Sequence, residues 1–172
     1  ARPGWVLVDA DYSQVELRVL AHMSGDATMI HAFQLDQDIH ARTASEVYGV
    51  PLDAVTPRMR SACKAVNFGI VYGISEFTLA KNIGVSRFEA KDFIERYFRR
   101  YPGVKAYMDA AVKKGHEQGY VTTLMNRRRY LPELTSTNFA VRAFGERCAM
   151  NSPIQGTAAD IIKLAMIAVD EA

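Results

Sequence analysis

The sequence predicts a predominantly helical α+β fold, and three observations carry that expectation. Cap residues followed by apolar positions at helical spacing recur along most of the chain, and one short stretch has the pattern of a hairpin. A content of 49% apolar and 23% charged residues is that of a chain with a buried core. With 172 residues, 21 Lys and Arg against 19 Asp and Glu, and a formal net charge of +2, the chain is too apolar for disorder and of a length to be one domain or part of one.

In chain order, Trp5-Val6-Leu7-Val8 reads as a short strand that ends in the polar run Asp9-Ala10-Asp11-Tyr12. Ser13-Gln14-Val15-Glu16 has the form of a capping box, opening a helix that buries Val15, Val19 and Met23 and ends at Gly25. Asp26 is placed to cap a helix through Phe33, and Asp38 one through Tyr48, closed by Gly49 and Pro51. Thr56-Pro57 starts a helix that runs to about Tyr72 and stops at Gly73, because proline at the first helical position loses no hydrogen bond there. Ser86-Arg87-Phe88-Glu89 is a second capping box, its helix ending before Pro102, and Val104 to Gln118 forms another with Gly119 behind it. Tyr120 to Leu124 and Arg129 to Leu131 flank Met125-Asn126-Arg127-Arg128 as the arms of a hairpin. The last third is helical from Asn138 to about Met150 and from Gln155 to Glu171, with a break expected at Pro153.

Several classes are excluded. The best apolar run, Ile161 to Val169, is interrupted by Lys163 and falls far short of the ~20 residues of a membrane span. The first residues lack the features of a secretory signal. Cys63 and Cys148 lie far apart within helical patterns, so buried reduced thiols and a reducing, cytoplasmic setting are expected. The four histidines show no zinc-ligand spacing.

Two segments could carry chemistry. Asp9 and Asp11, two apart on an extended chain, would face the same way and could serve as a post for Mg²⁺, although a solvated strand end or a turn is the commoner meaning of that spacing. In the helix from Pro57, Arg60, Lys64, Phe68 and Tyr72 fall at steps of four, while Met59, Cys63, Val66 and Ile70 take a different, apolar face. Two cations in register with two aromatics could hold a phosphate chain and stack on a base or sugar. Arg127-Arg128-Arg129 at the hairpin is the best candidate for contact with a phosphate backbone, and Asn151 and Gln155, beside Pro153, could reach base edges in a groove.

Asp11-Tyr12-Ser13-Gln14-Val15-Glu16-Leu17-Arg18, followed by Ala21-His22 and Ser24-Gly25-Asp26, closely resembles the first polymerase motif of the family A DNA polymerases. Arg60-x3-Lys64-x3-Phe68-Gly69-x2-Tyr72-Gly73 is similar to their second motif, on the long fingers helix. Asp38-Ile39-His40, Gly119-Tyr120-Val121 leading to Arg127-Arg128-Arg129-Tyr130, and Asn151-x-Pro153-x-Gln155-Gly156-Thr157-Ala158-Ala159-Asp160 match further segments in order.

The resemblance implies a right-hand polymerase, with residues 1–26 as partial palm (its first strand and helix), 27–150 as fingers and 151–172 as the return to the palm. It implies primer-template DNA and deoxynucleoside triphosphates as partners, two Mg²⁺ ions, work in DNA replication and repair, no membrane, and a monomeric parent protein. Asp11 and the Tyr12 carbonyl would be metal ligands, and Asp9 would not. Glu16 would exclude a ribose 2′-hydroxyl. Arg60, Lys64 and His40 would bind the triphosphate, Lys64 also as proton donor to the leaving group. Phe68 would pack on the sugar and base, and Tyr72 would stack at the insertion site. Arg127, Arg128, Arg147, Asn151 and Gln155 would contact DNA.

The family's third motif, a His-Asp-Glu turn between strands, has no counterpart here, since Val169-Asp170-Glu171 lacks the His and continues a helical pattern. The sequence therefore reads as a piece of a larger polymerase that is inactive by itself. The competing expectation is a non-catalytic nucleic-acid or nucleotide-binding module with the fingers fold. A phage-type single-subunit RNA polymerase is a further one, opposed by Glu16 and Phe68.

Overall fold

The computed structural model of the chain describes residues 2–171. Among them are eight α-helices, two short 3₁₀ turns and one two-stranded antiparallel sheet, so the fold class is as the sequence predicts. The expected strand at the start is not present. Trp5 to Val8 are 71–88% exposed and pair with no strand among the described residues, because a strand persists only where a neighbour takes up its backbone groups.

The first helix, α1 (Val15–Ser24), starts just beyond Ser13, and the capping box expected there does not form. Gln14 occupies the cap position in the left-handed conformation, φ 55°, while the Ser13 carbonyl accepts a hydrogen bond from Arg18 Nε at 3.0 Å. The buried face is Leu17, Val19, Leu20 and Ala21, with Val15 and Met23 only partly covered.

The next three helices begin at the caps predicted for them. Asp26 accepts from the Met29 amide at the start of α2 (Ala27–Gln34), Asp38 from the His40 and Ala41 amides at α3 (Ile39–Tyr48), and Thr56 from Met59 at α4 (Pro57–Val71). A fifth helix, α5 (Glu76–Ile83), capped by Ser75, was not expected from the sequence. The capping box at Ser86 is complete and opens α6 (Arg87–Arg100), and α7 (Pro102–Gln118) follows it directly. The hairpin is β1 (Tyr120–Thr122) and β2 (Arg128–Tyr130), in register Tyr120 to Tyr130, with Asn126 left-handed in the turn. Arg128 and Arg129 thus lie in a strand and only Arg127 in the turn.

The break expected at Pro153 does not occur, and α8 (Phe139–Asp170) is continuous. A proline inside a helix removes a backbone hydrogen bond and costs about 3 kcal/mol. Here Ala149, Pro153, Ile154, Thr157 and Ala158 are all buried, and tertiary packing offsets that cost. The Thr157 hydroxyl donates to the Pro153 carbonyl (2.6 Å) and accepts from the Leu124 amide (3.0 Å), tying hairpin to helix.

The main core draws on all eight helices, with Leu17, Leu20, Met29, Ile39, Leu79, Tyr97, Tyr101, Val104 and Ile154 at or near zero exposure. A satellite of Val121, Leu131, Leu134 and Ala149 seats the hairpin. A third, Ala44, Val47 and Cys63, joins α3 to α4. Both cysteines are free; Cys63 is buried and Cys148 half-buried. Among the described residues no helix is long and apolar enough to cross a membrane.

Candidate functional site

The stripe on α4 is set by its two faces. Cys63, Val66, Asn67, Ile70 and Val71 are buried, and this anchors the helix so that Arg60 and Lys64 are exposed with Phe68 half-buried beyond them. The adjacent helix α3 presents Asp38 at its start, where the carboxylate accepts from Arg60 Nε at 2.6 Å as well as from two backbone amides. Partial burial pushes the Asp38 carboxyl up, but the Arg60 guanidinium and the Ala41 and His40 amides outweigh it and hold the group below its ordinary range. Arg60 is therefore already paired, whereas Lys64 has no ion-pair partner among the described residues.

His40 stands one residue into α3 beyond the cap region, 2% exposed, its ring 5.7 Å from that of Phe68. Burial lowers its pKa to about 4; Asp38 opposes this, and the positive charges of Arg60 and Lys64 add to it. Against an ordinary 6.5, the unfolded chain takes up a proton first as pH falls, so the stability held by neutral His40 is whole above 6.5 and is lost as pH falls through about 4. Denaturation midpoints compared above 6.5 and near 4 should drop less in His40→Gln than in the unaltered chain. An equal drop in both would assign the acid sensitivity to another group.

At the far end of α4 three helices converge on one phenol. Tyr72 donates to Glu16 Oε2 of α1 at 3.0 Å and accepts from Gln155 Nε2 of α8 at 3.3 Å. Burial raises the Tyr72 pKa; the bond from Gln155 lowers it, and the bond to Glu16 and its charge add to the rise. The next position favours glycine. Gly73 has φ +65°, and a Cβ there would lie 2.6 Å from Met150 Cε and 3.0 Å from Arg147 Cγ.

The other predicted positions are more dispersed. Asp11 and Tyr12 lie exposed on the segment before α1, and the described residues contain no group of three or more His, Cys, Asp or Glu side chains arranged to hold a metal. Arg147 is exposed on α8, 5.9 Å over the Phe144 ring, and Asn151, one turn on, keeps Oδ1 buried without a hydrogen-bond partner among the described residues. Arg128 lies 4.8 Å over the Tyr120 ring. Arg127 turns inward, to Asp160 Oδ1 at 2.9 Å and the Gly156 carbonyl at 3.0 Å.

Asn67 was missed. It is 1% exposed and its amide nitrogen lies 2.9 Å from His40 Nδ1. Its signal in the sequence is a polar residue four positions after Cys63, on the stripe that otherwise faces the core.

Residues 1–172 match the family described as DNA polymerase family A. DNA polymerase I of Bacillus caldotenax is 60% identical over 163 residues, 95% of this chain and 19% of that protein. DNA polymerase I of Pseudomonas aeruginosa is 55% identical over 170 residues, 99% of this chain and 19% of that protein. The chain thus spans about a fifth of the length of these relatives. A solved structure described as the POL domain of Pol1 from M. smegmatis in complex with DNA primer-template and dNTP superposes with a TM-score of 0.90 at 49% identity, over 94% of this chain and 28% of that one.

Proposed function

Because the chain belongs to DNA polymerase family A, we propose that it supplies the fingers and the first catalytic carboxylate of a template-directed DNA polymerase. The reaction is in-line attack of a primer 3′-hydroxyl on a deoxynucleoside triphosphate, with pyrophosphate leaving. Residues 1–26 belong to the palm in this reading, 27–150 to the fingers and 151–172 to the return into the palm. The observation that carries it is the convergence of Glu16, Tyr72 and Gln155 from three helices beside the stripe of Arg60, Lys64 and Phe68. The M. smegmatis relative, seen with primer-template DNA and dNTP, supports the same partners here.

Arg60 and Lys64 bind the triphosphate, with His40 as a further hydrogen-bonding group. Phe68 and Tyr72 offer ring faces to the sugar and base. Glu16, held in place by Tyr72, fills the space a 2′-hydroxyl needs. Arg147, Asn151 and Gln155 take the template and the minor groove, and Arg128 the backbone. Arg127, tied to Asp160 and the Gly156 carbonyl through one terminal nitrogen, keeps Nε and the other terminal nitrogen for the DNA backbone. The family uses Mg²⁺; Asp11 and the Tyr12 carbonyl are hard oxygen donors of the kind that ion takes, on exposed residues, and so fit part of such a site. The ions, when bound, activate the 3′-hydroxyl and neutralise the leaving group.

Glu16→Ala in the polymerase that contains this chain tests the assignment. Ribonucleotide incorporation relative to deoxynucleotide should rise by roughly tenfold or more, the scale of discrimination that a packed wall provides. Unchanged sugar selectivity in steady-state incorporation assays would remove Glu16 from the nucleotide site.

A further inference from the structure

His40, Thr43 and Asn67 form a polar chain in the interior, each 1–2% exposed. Asn67 presents its amide nitrogen to His40 Nδ1 at 2.9 Å and its oxygen to the Thr43 hydroxyl at 3.2 Å. Thr43 Oγ1 also lies 2.7 Å from the Ile39 carbonyl, one turn earlier in α3, so its proton is shared between two acceptors and braces the Asn67 oxygen against the α3 backbone. An amide NH₂ can only donate. With the amide in this orientation Nδ1 accepts, and a neutral ring then carries its single proton on Nε2, the one ring nitrogen left for a ligand.

We propose that Asn67, braced by Thr43, is a positioning residue that holds His40 as a neutral imidazole with its proton on Nε2, making that nitrogen a fixed donor to a triphosphate oxygen. The second half of this statement rests on the nucleotide-binding role given to His40 above. The charged groups whose fields reach the ring are Asp38, Arg60 and Lys64, and Phe68 supplies an aromatic wall. An imidazolium would carry a proton on Nδ1 as well and aim it at the Asn67 NH₂. The contact therefore opposes protonation in the same direction as burial does. A reversed amide would leave Nε2 with a lone pair facing an anion, and the two arrangements differ in a measurable way, the tautomer.

The experiment uses the polymerase that contains this chain, with histidine labelled for nitrogen NMR and the His40 signals identified by difference against His40→Gln. The expected spectrum has a bare Nδ1 and a protonated Nε2. In Asn67→Leu the tautomers should mix, and the dNTP KM should rise roughly fivefold with a smaller change in kcat. Thr43→Val should move both readouts in the same direction by less, and Thr43→Ser, which keeps the hydroxyl, should restore them. Asn67→Asp, whose carboxylate can only accept, should draw a proton onto Nδ1 and raise the pH at which His40 titrates. A proton on Nδ1 in the unaltered enzyme, or a tautomer indifferent to Asn67→Leu and Thr43→Val, overturns the proposal. If the tautomer responds as expected while neither Asn67→Leu nor His40→Gln alters the dNTP KM, Asn67 positions the ring and the nucleotide role of His40 is what fails.

Discussion

Replacing Asp11 by Ala in the polymerase that contains this chain should lower primer extension at least a thousandfold, on the order of 4 kcal/mol of transition-state stabilisation. Thermal stability and primer-template affinity should hardly move. The separation follows from where Asp11 sits. It is exposed, on an irregular segment with no side-chain hydrogen bond or ion pair among the described residues, and surface substitutions of that kind stay within about 0.5 kcal/mol. A carboxylate that contributes nothing to the fold can contribute only through what it binds. The same reasoning extends to the 172-residue chain by itself, which should extend no primer with Mg²⁺, because one carboxylate cannot secure two ions. Turnover retained by Asp11→Ala in a Mg²⁺ titration would take Asp11 out of the metal site; robust synthesis by the chain alone would show that it carries both carboxylates.

Lys64→Ala should reduce kcat by roughly a hundred- to a thousandfold, the range of a general acid lost together with a charge. Lys64 is exposed and without an ion-pair partner among the described residues, so no carboxylate there competes with a phosphate for it. Lys64→Arg separates the two functions. A guanidinium keeps the charge and cannot be deprotonated, so the dNTP KM should return toward that of the unaltered enzyme while kcat stays low. A kcat restored by Arg in single-turnover measurements would leave Lys64 an electrostatic role alone.

What could be read from the sequence was what is decided locally. Asp26, Asp38, Thr56 and Ser86 cap their own helices within three residues, and each was placed correctly. Ser13 has the same residue type and spacing and fails, because one left-handed residue, Gln14, moves the helix start past it. Pro153 was expected to end a helix by its local chemistry, and the burial of Ala149 and Ile154 on distant partners overrides that chemistry. Trp5 to Val8 has strand composition and no strand beside it. Within the site, the cation and aromatic stripe of α4 follows from a period of four. The tie from Asn67 to His40 spans 27 positions and exists only once α3 and α4 lie side by side.

The Arg60 pair with Asp38 bears on how an anion enters. Asp38 accepts from Arg60 and from two amides at the N-terminus of α3, so this corner of the molecule already holds an anion that is part of the chain. The pair engages Arg60 only through Nε, and its two terminal nitrogens have no hydrogen bond among the described residues, so the guanidinium is held in place with donors to spare. A tethered carboxylate that fixes a long, flexible side chain removes rotamer freedom before any ligand arrives, so less is lost when one binds. In the proposed nucleotide site Asp38 is then a mount for Arg60 rather than its competitor.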